Sequence, residues 1–189
     1  MKSSAENARK IVEQLGGSLN GTSVYLDEAS ERVTDTDIET ILVHLKNLPK
    51  FSLGVADSDI TDQTLHRLSA YPNLVDLCLT GTSVTDAGVR SLSDLHNLKS
   101  LILNETAVTD AGLASLHGLP NLARLGLGPN VTDQSVDTLH SFPNLRWLIL
   151  EPRQRCQFTD TAFATIKSEM QSVHILLGGS DPNSDNELV

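Results

Sequence analysis

Three sets of residues in this chain have types and spacing that could carry chemistry. The first is a series of Thr-Asp pairs, whose aspartates are Asp35, Asp62, Asp86, Asp110, Asp133 and Asp160, spaced by 27, 24, 24, 23 and 27 residues. A column of carboxylates suggests Ca²⁺. Yet ligands on one Ca²⁺ lie within roughly 5 Å of one another, whereas packed helices sit about 8–10 Å apart. The second is His117 and His140, each seven residues after its aspartate. Zinc takes three or four ligands, and no cysteine, aspartate or third histidine recurs beside this pair. The third is the two thiols. Cys156 has Arg153 and Arg155 beside it, which would depress a thiol pKa, and Cys78 has no such neighbour. A nucleophilic enzyme also needs a base and an oxyanion site, and no such pattern occurs. His44, His66, His96 and His174 show no catalytic spacing, and there is no glycine-rich phosphate loop. The expectation is a chain without catalytic residues, metal or cofactor.

The elements around the Thr-Asp pairs give them a different role. In two consecutive units the frame runs Leu74-x-x-Leu77-x-Leu79-x-x-Thr82-x-Val84-Thr-Asp-x-x-Val89-x-x-Leu92, then Leu98-x-x-Leu101-x-Leu103-x-x-Thr106-x-Val108-Thr-Asp-x-x-Leu113-x-x-Leu116. The Leu-x-Leu part alternates with period two, which predicts a short strand. After Thr-Asp the apolar spacing becomes three and four, which predicts a short helix. Threonine at the N-cap can accept a bond from a free N–H, and aspartate in the first turn meets the positive end of the helix dipole. Pro-Asn at 120–121 and 143–144 marks the helix stops. A strand and a helix in about 24 residues cannot bury their own apolar faces, but stacked copies can.

The frame resembles the leucine-rich repeat over roughly residues 21–177. Its Thr-Asp-Ala-Gly-(Leu/Val) continuation at 85–89 and 109–113 is similar to a bacterial subclass related to cysteine-containing leucine-rich repeats. The resemblance implies an α/β fold: a solenoid with a curved parallel sheet on the concave face and short helices on the convex face. Six repeat strands are expected, with a terminal strand at 173–177. The third position after the second leucine, often asparagine in such repeats, is Thr82, Thr106 and Asn130 but Ala29, Ala56 and Arg153 elsewhere. No continuous side-chain ladder is expected there. Extra residues fall between Leu53 and Thr61 and between Leu150 and Thr159, in strand-to-helix loops that tolerate insertion.

Residues 1–20 form the expected N-terminal cap. Ser4 would be the N-cap of a helix over 4–15, Ala8, Ile11, Val12 and Leu15 its apolar face, and Gly16-Gly17 its stop. Residues 178–189 read as an acidic disordered tail. The charge of −10 opposes nucleic acid and anionic membranes as partners, and no apolar run approaches the ~18 residues of a span. No signal peptide is visible at the N-terminus, and two cysteines cannot build a disulfide framework, so a cytoplasmic setting is expected.

Alternate strand residues point away from the helices, which places Asp76, Cys78, Ser100, Ile102, Asn104, Arg124, Gly126, Trp147, Ile149 and Glu151 on the concave face. Trp and Arg are enriched at binding hot spots. The expected site is therefore Trp147, Ile149, Arg124, Ile102, Asn104 and Glu151, with Gly126 and Gly128 leaving a shallow depression. The expected function is protein or peptide binding by an unidentified protein partner. A second copy of the chain, as a weak homodimer through the same apolar patch, is the other expected cover. A ubiquitin-ligase-like substrate adaptor is the alternative, although about 20 residues before the first unit are too few for a docking domain. A metal-dependent enzyme would need a polar cluster that the sequence lacks.

Overall fold

The computed structural model describes residues 2–26, 32–152, 154–178 and 187–188, with backbone alone for 2–4 and 187–188. Along the chain lie α1 (Lys2–Gln14), β1 (Ser18–Asn20), β2 (Ser23–Tyr25), α2 (Asp35–Leu45), β3 (Phe51–Gly54), α3 (Asp62–Leu68), β4 (Leu74–Cys78), α4 (Asp86–Arg90), β5 (Ser100–Ile102), α5 (Asp110–Ala114) and β6 (Arg124–Leu127). A 3₁₀ turn (Asp133–Ser135) leads into α6 (Val136–Leu139), followed by β7 (Trp147–Leu150), α7 (Asp160–Glu169), β8 (His174–Leu177) and β9 (Glu187–Leu188). The strands form one sheet in sequence order, parallel from β2 to β8 and antiparallel at both edges.

Register follows the leucine frame. Val24, Leu53, Leu77, Leu101, Leu125, Leu148 and Ile175 pair in one row across the sheet, each at most 2% exposed. The helix frame supplies the facing row: Ile38, Leu65, Val89, Leu113, Val136 and Phe163, all buried. These two rows belong to one core cluster that runs from Ala8 to Leu177. Each repeat thus buries its apolar face on its neighbours.

The N-terminal edge departs from expectation in two ways. Helix α1 begins at Lys2, so Ser4 lies inside it and is not its N-cap. Gly16, at φ 83°, ends it as expected, and Ala8 and Val12 are completely buried in the common core. Sequence reading also missed β1. The Asn20-Gly21 pair between Leu19 and Val24 is a hairpin turn signal, and Gly21 takes the left-handed φ of 64° that such a turn needs. The expected tail at 178–189 lies outside the described residues, apart from Gly178 and the short β9. Asp27, Ala29 and Arg153 are outside them as well.

Candidate functional site

The Thr-Asp pairs do more than cap their own helices. Threonine caps as expected: the hydroxyls of Thr61, Thr85, Thr109 and Thr132 accept from the N–H two residues on, and Thr159 from the N–H three residues on. Five of the six aspartates, however, reach into the following repeat. Asp62 accepts from the N–H and Oγ1 of Thr85 at 2.8 and 2.7 Å, Asp86 from Thr109 at 2.8 and 2.7 Å, and Asp110 from Thr132 at 2.9 and 2.7 Å. Asp35 with Thr61 and Asp133 with Thr159 repeat the pattern. The column considered for Ca²⁺ is a hydrogen-bond ladder. Among the described residues no group of three or more His, Cys, Asp or Glu could hold a metal ion.

The ladder explains most of the residues found two positions after these aspartates. A Cβ on Gly88 would overlap Asp62 Oδ1, and one on Gly112 would overlap Asp86 Oδ1. Glycine leaves room for the carboxylate of the repeat before. In two other units the position carries a hydroxyl that donates to that carboxylate, Thr64 to Asp35 at 2.6 Å and Ser135 to Asp110, while after Asp160 it is Ala162. In the first unit the same position is Asp37. Its own carboxylate accepts from the N–H and Oγ1 of Thr34 at 2.9 and 2.7 Å, as a preceding repeat's aspartate would. Burial raises the Asp35 carboxyl, but bonds from the hydroxyls and N–H groups of Thr61 and Thr64 outweigh it and hold the pKa below its ordinary value.

A second ladder occupies the opposite ends of the strands. The amides of Asn73, Asn97, Asn121 and Asn144 donate to main-chain carbonyls of the preceding repeat, among them Pro72 O, His96 O and Pro120 O. At the position where no ladder was expected, Thr82 and Thr106 bond within their own units, and only Asn130 crosses to Thr106 O.

The concave face has two chemically different halves. Its first outward column reads Ser23, Ser52, Asp76, Ser100, Arg124, Trp147 and His174. Ser52 donates to Asp76 at 2.6 Å. Trp147 is 37% exposed and stacks on His174, with centroids 4.7 Å apart. Residues 154–158 leave it partly exposed. That segment instead buries Phe158 beside Phe163, while Arg155 reaches Glu105 at 3.4 Å and Glu151 at 3.6 Å.

The second outward column corrects an expectation. Cys78, Ile102, Gly126, Ile149 and Leu176 pair across the strands. Ile102, Ile149 and Leu176 form a separate buried cluster, with Ile149 fully covered. Ile102 and Ile149 are therefore not open contact surface. Nor does Gly126 open a depression, because a Cβ there would meet Asn104 Oδ1 and the branches of Ile102: those side chains already fill the space. Asn104 and Glu151 are also buried, each 2% exposed. Glu151 Oε1 accepts from Asn104 Nδ2 at 3.3 Å and from the Glu105 N–H at 3.0 Å, and Asn104 Nδ2 also donates to Leu127 O. Of the six expected site residues, Trp147 and Arg124 keep access to solvent, and the other four build the floor and wall behind them.

Where the strands begin, the chain carries cations. Lys50, Lys99 and Arg146 are exposed at that rim, and Arg124 and His174 open the first column beside them. A recess between the two lysines is lined by Pro49, Lys50, Asn73, Val75, Asn97 and Lys99. Arginines that pair with carboxylates lie elsewhere: Arg32 with Asp59, Arg67 with Glu39, and Arg155 with Glu105 and Glu151. Among the described residues Lys50, Lys99, Arg124 and Arg146 make no ion pair. The leucine-frame alternation places Lys50 and Arg124 on the concave face, though only Arg124 was singled out as a contact; Lys99 and Arg146 were missed because they precede the alternation used to find that face.

No protein-family model matches the chain, and no curated protein matches it. Solved structures do. An internalin (inlF) from Listeria monocytogenes is 24% identical, with a TM-score of 0.57 over 94% of this chain and 51% of that one. An internalin C2 (inlC2) from the same organism is 19% identical at a TM-score of 0.47, over 96% of this chain and 87% of that one. The chain thus spans about half the length of the inlF structure. No helix among the described residues is long and apolar enough to cross a membrane. Together the in-register leucine rows, the repeat ladders and the inlF likeness show that this chain folds as a leucine-rich-repeat solenoid.

Proposed function

We propose that the protein is a non-catalytic interaction module that binds a protein or peptide partner through its concave face, with Trp147 and Arg124 as the contact residues. Ile102 and Ile149 form the apolar floor under them, while Asn104 and Glu151 brace the far wall. One observation carries this reading: Trp147 keeps 37% of its surface exposed although the chain has apolar loop residues close by in sequence that could have covered it. An exposed indole beside an arginine is the composition of a binding hot spot. The other large apolar side chains left exposed among the described residues are Tyr25, on the same face at β2, and Val43 on α2.

Affinity capture from extracts of the native cells tests this, with the unaltered chain and the Trp147→Ala and Arg124→Ala variants side by side. A partner retained by the unaltered chain and lost by both variants is the expected result; equal retention by all three would end the reading. Sedimentation at rising concentration examines whether the occupant is a second copy, since a homodimer through Trp147 would dissociate in the Trp147→Ala variant. We further infer a cytoplasmic, reducing setting, in keeping with two cysteines on separate elements, β4 and the loop after β7. Cell fractionation checks it.

A further inference from the structure

We propose that Lys50, Lys99, Arg124 and Arg146, with Trp147 as an apolar anchor, form a docking strip for an extended acidic peptide segment of a protein partner, laid across the starts of the strands. The proposal deepens the concave-face reading above and rests on it. Placement is the first argument. The chain carries a net charge of −10, yet these four cations stand along one edge of the sheet without a carboxylate among the described residues to neutralise them. Asp76, the acid of the first column, is engaged by Ser52.

Carboxylates gather at the opposite ends of the strands, in the Asp ladder and around Glu105 and Glu151. The repeats of β3, β5, β6 and β7 therefore present positive charge where the strand begins, and negative charge gathers where the strands end. A negatively charged ligand is attracted to the first edge and repelled from the second, which fixes the track it follows.

Length is the second argument. From β3, which follows Lys50, to β7, which follows Arg146, there are four strand steps of about 4.8 Å, or about 19 Å in all. An extended peptide covers that distance in about six residues at roughly 3.3 Å each. The recess between Lys50 and Lys99 receives one end of such a segment, and the stacked Trp147–His174 pair gives the other end an apolar surface. A longer polyanion such as nucleic acid gains nothing beyond those six residues and then runs over a surface of its own sign. A short acidic segment is therefore the occupant this strip favours.

Titration of the full chain with acetylated hexaglutamate, read by the emission of its single Trp147, tests the proposal. At about 20 mM salt the signal should saturate, and at about 0.5 M salt it should vanish, as expected for screened contacts. Hexalysine should give no saturable change. The Lys99→Glu/Arg124→Glu variant should bind at least tenfold more weakly. The Lys10→Glu/Lys167→Glu variant, with the same change in net charge on helices α1 and α7, should stay within twofold. A silent hexaglutamate titration would overturn the proposal, as would equal weakening in both double variants. A single-stranded oligonucleotide bound as tightly and through the same two residues would overturn it in favour of nucleic acid. If Trp147→Ala abolishes partner capture while hexaglutamate leaves the protein untouched, the concave-face reading stands and the acidic strip falls. If hexaglutamate binds through Lys99 and Arg124 while Trp147→Ala captures normally, the strip stands and the hot spot falls.

Discussion

The two ends of the strands both tie the repeats together, but they differ in the charge they leave over. Past the strand ends, an aspartate of one repeat accepts both donors of a threonine in the next, and a glycine, threonine or serine shapes the space around it. At the strand starts, asparagine amides tie the repeats together, but Lys50, Lys99, Arg124 and Arg146 make no ion pair among the described residues, and Arg146 donates to the Leu145 carbonyl at 2.9 Å. Conversion of all polar capacity into internal bonds suits a surface that only holds the stack. Unpaired charge contributes little to holding it, since even exposed ion pairs are worth only about 0–1 kcal/mol. The difference separates the structural edge of this solenoid from the edge free to bind.

The largest expected effect lies in the core that both edges share. Leu101 is completely buried between Leu77 and Leu125, and Leu101→Ala should cost about 2–5 kcal/mol. Because the stacked rows form one core, thermal unfolding should shift as a single transition rather than split. An unchanged melting temperature would show that the inward row is wrongly assigned.

Substitutions at the two edges come next and set them apart. Asp86→Ala strands the N–H and hydroxyl of Thr109, and Gly112→Ala pushes a methyl group into the same carboxylate. Each should cost about 1–3 kcal/mol. Together they should cost less than their sum, because removal of the carboxylate makes room for the methyl. Lys99→Glu at the other edge should stay within about 0.5 kcal/mol. Urea denaturation of all four variants decides it; a Lys99→Glu loss equal to that of Asp86→Ala would erase the distinction between the edges.

How much of this was legible in the sequence depends on whether a feature lives inside one repeat or between two. The leucine rows, the N-cap threonines and the terminal strand follow from periodicity within a unit. The Asp ladder crosses units, so the aspartate was legible only as a first-turn residue. Yet its trace was there, in the glycine, threonine or serine two positions on and in Asp37 of the first unit, which has no preceding partner. Burial of Ile102 and Ile149 was illegible for a related reason. Alternation says which face a side chain leaves from, but not whether outward neighbours such as Leu176 then pack over one another.

Acid exposes the ladder more gently than mutation. The Asp35 pKa is held below its unfolded value by hydroxyl and N–H donors that outweigh burial. Its contribution is therefore fully present above the unfolded value, near 4, and is lost as pH falls through the lower folded value. Urea midpoints should accordingly fall less steeply between pH 5 and about pH 2 in Asp35→Asn than in the unaltered chain. Parallel slopes would mean that the Thr61 and Thr64 bonds do not distinguish the charged carboxylate from the neutral acid.

A small effect on stability is also expected at Trp147, the exposed aromatic of the binding edge. Truncation of Trp147 removes its stack on His174, worth about 0.5–1.5 kcal/mol beyond area burial, and the packing of the covered part of the ring, but opens no cavity inside the leucine core. Trp147→Ala should therefore move the melting temperature much less than Leu101→Ala does. The indole itself reports its surroundings, because it is the chain's single tryptophan. With 37% of its surface open, both iodide and caesium should quench it. They should not do so equally. Cations at the strand starts concentrate the anion near the ring and exclude the cation, so iodide should quench more strongly at low salt, and the gap should close as screening grows. In the Lys99→Glu/Arg124→Glu variant that preference should shrink or reverse. Quenching that ignores the sign of the ion would mean that the strip exerts no field at Trp147, and the two edges would then differ in bonding alone.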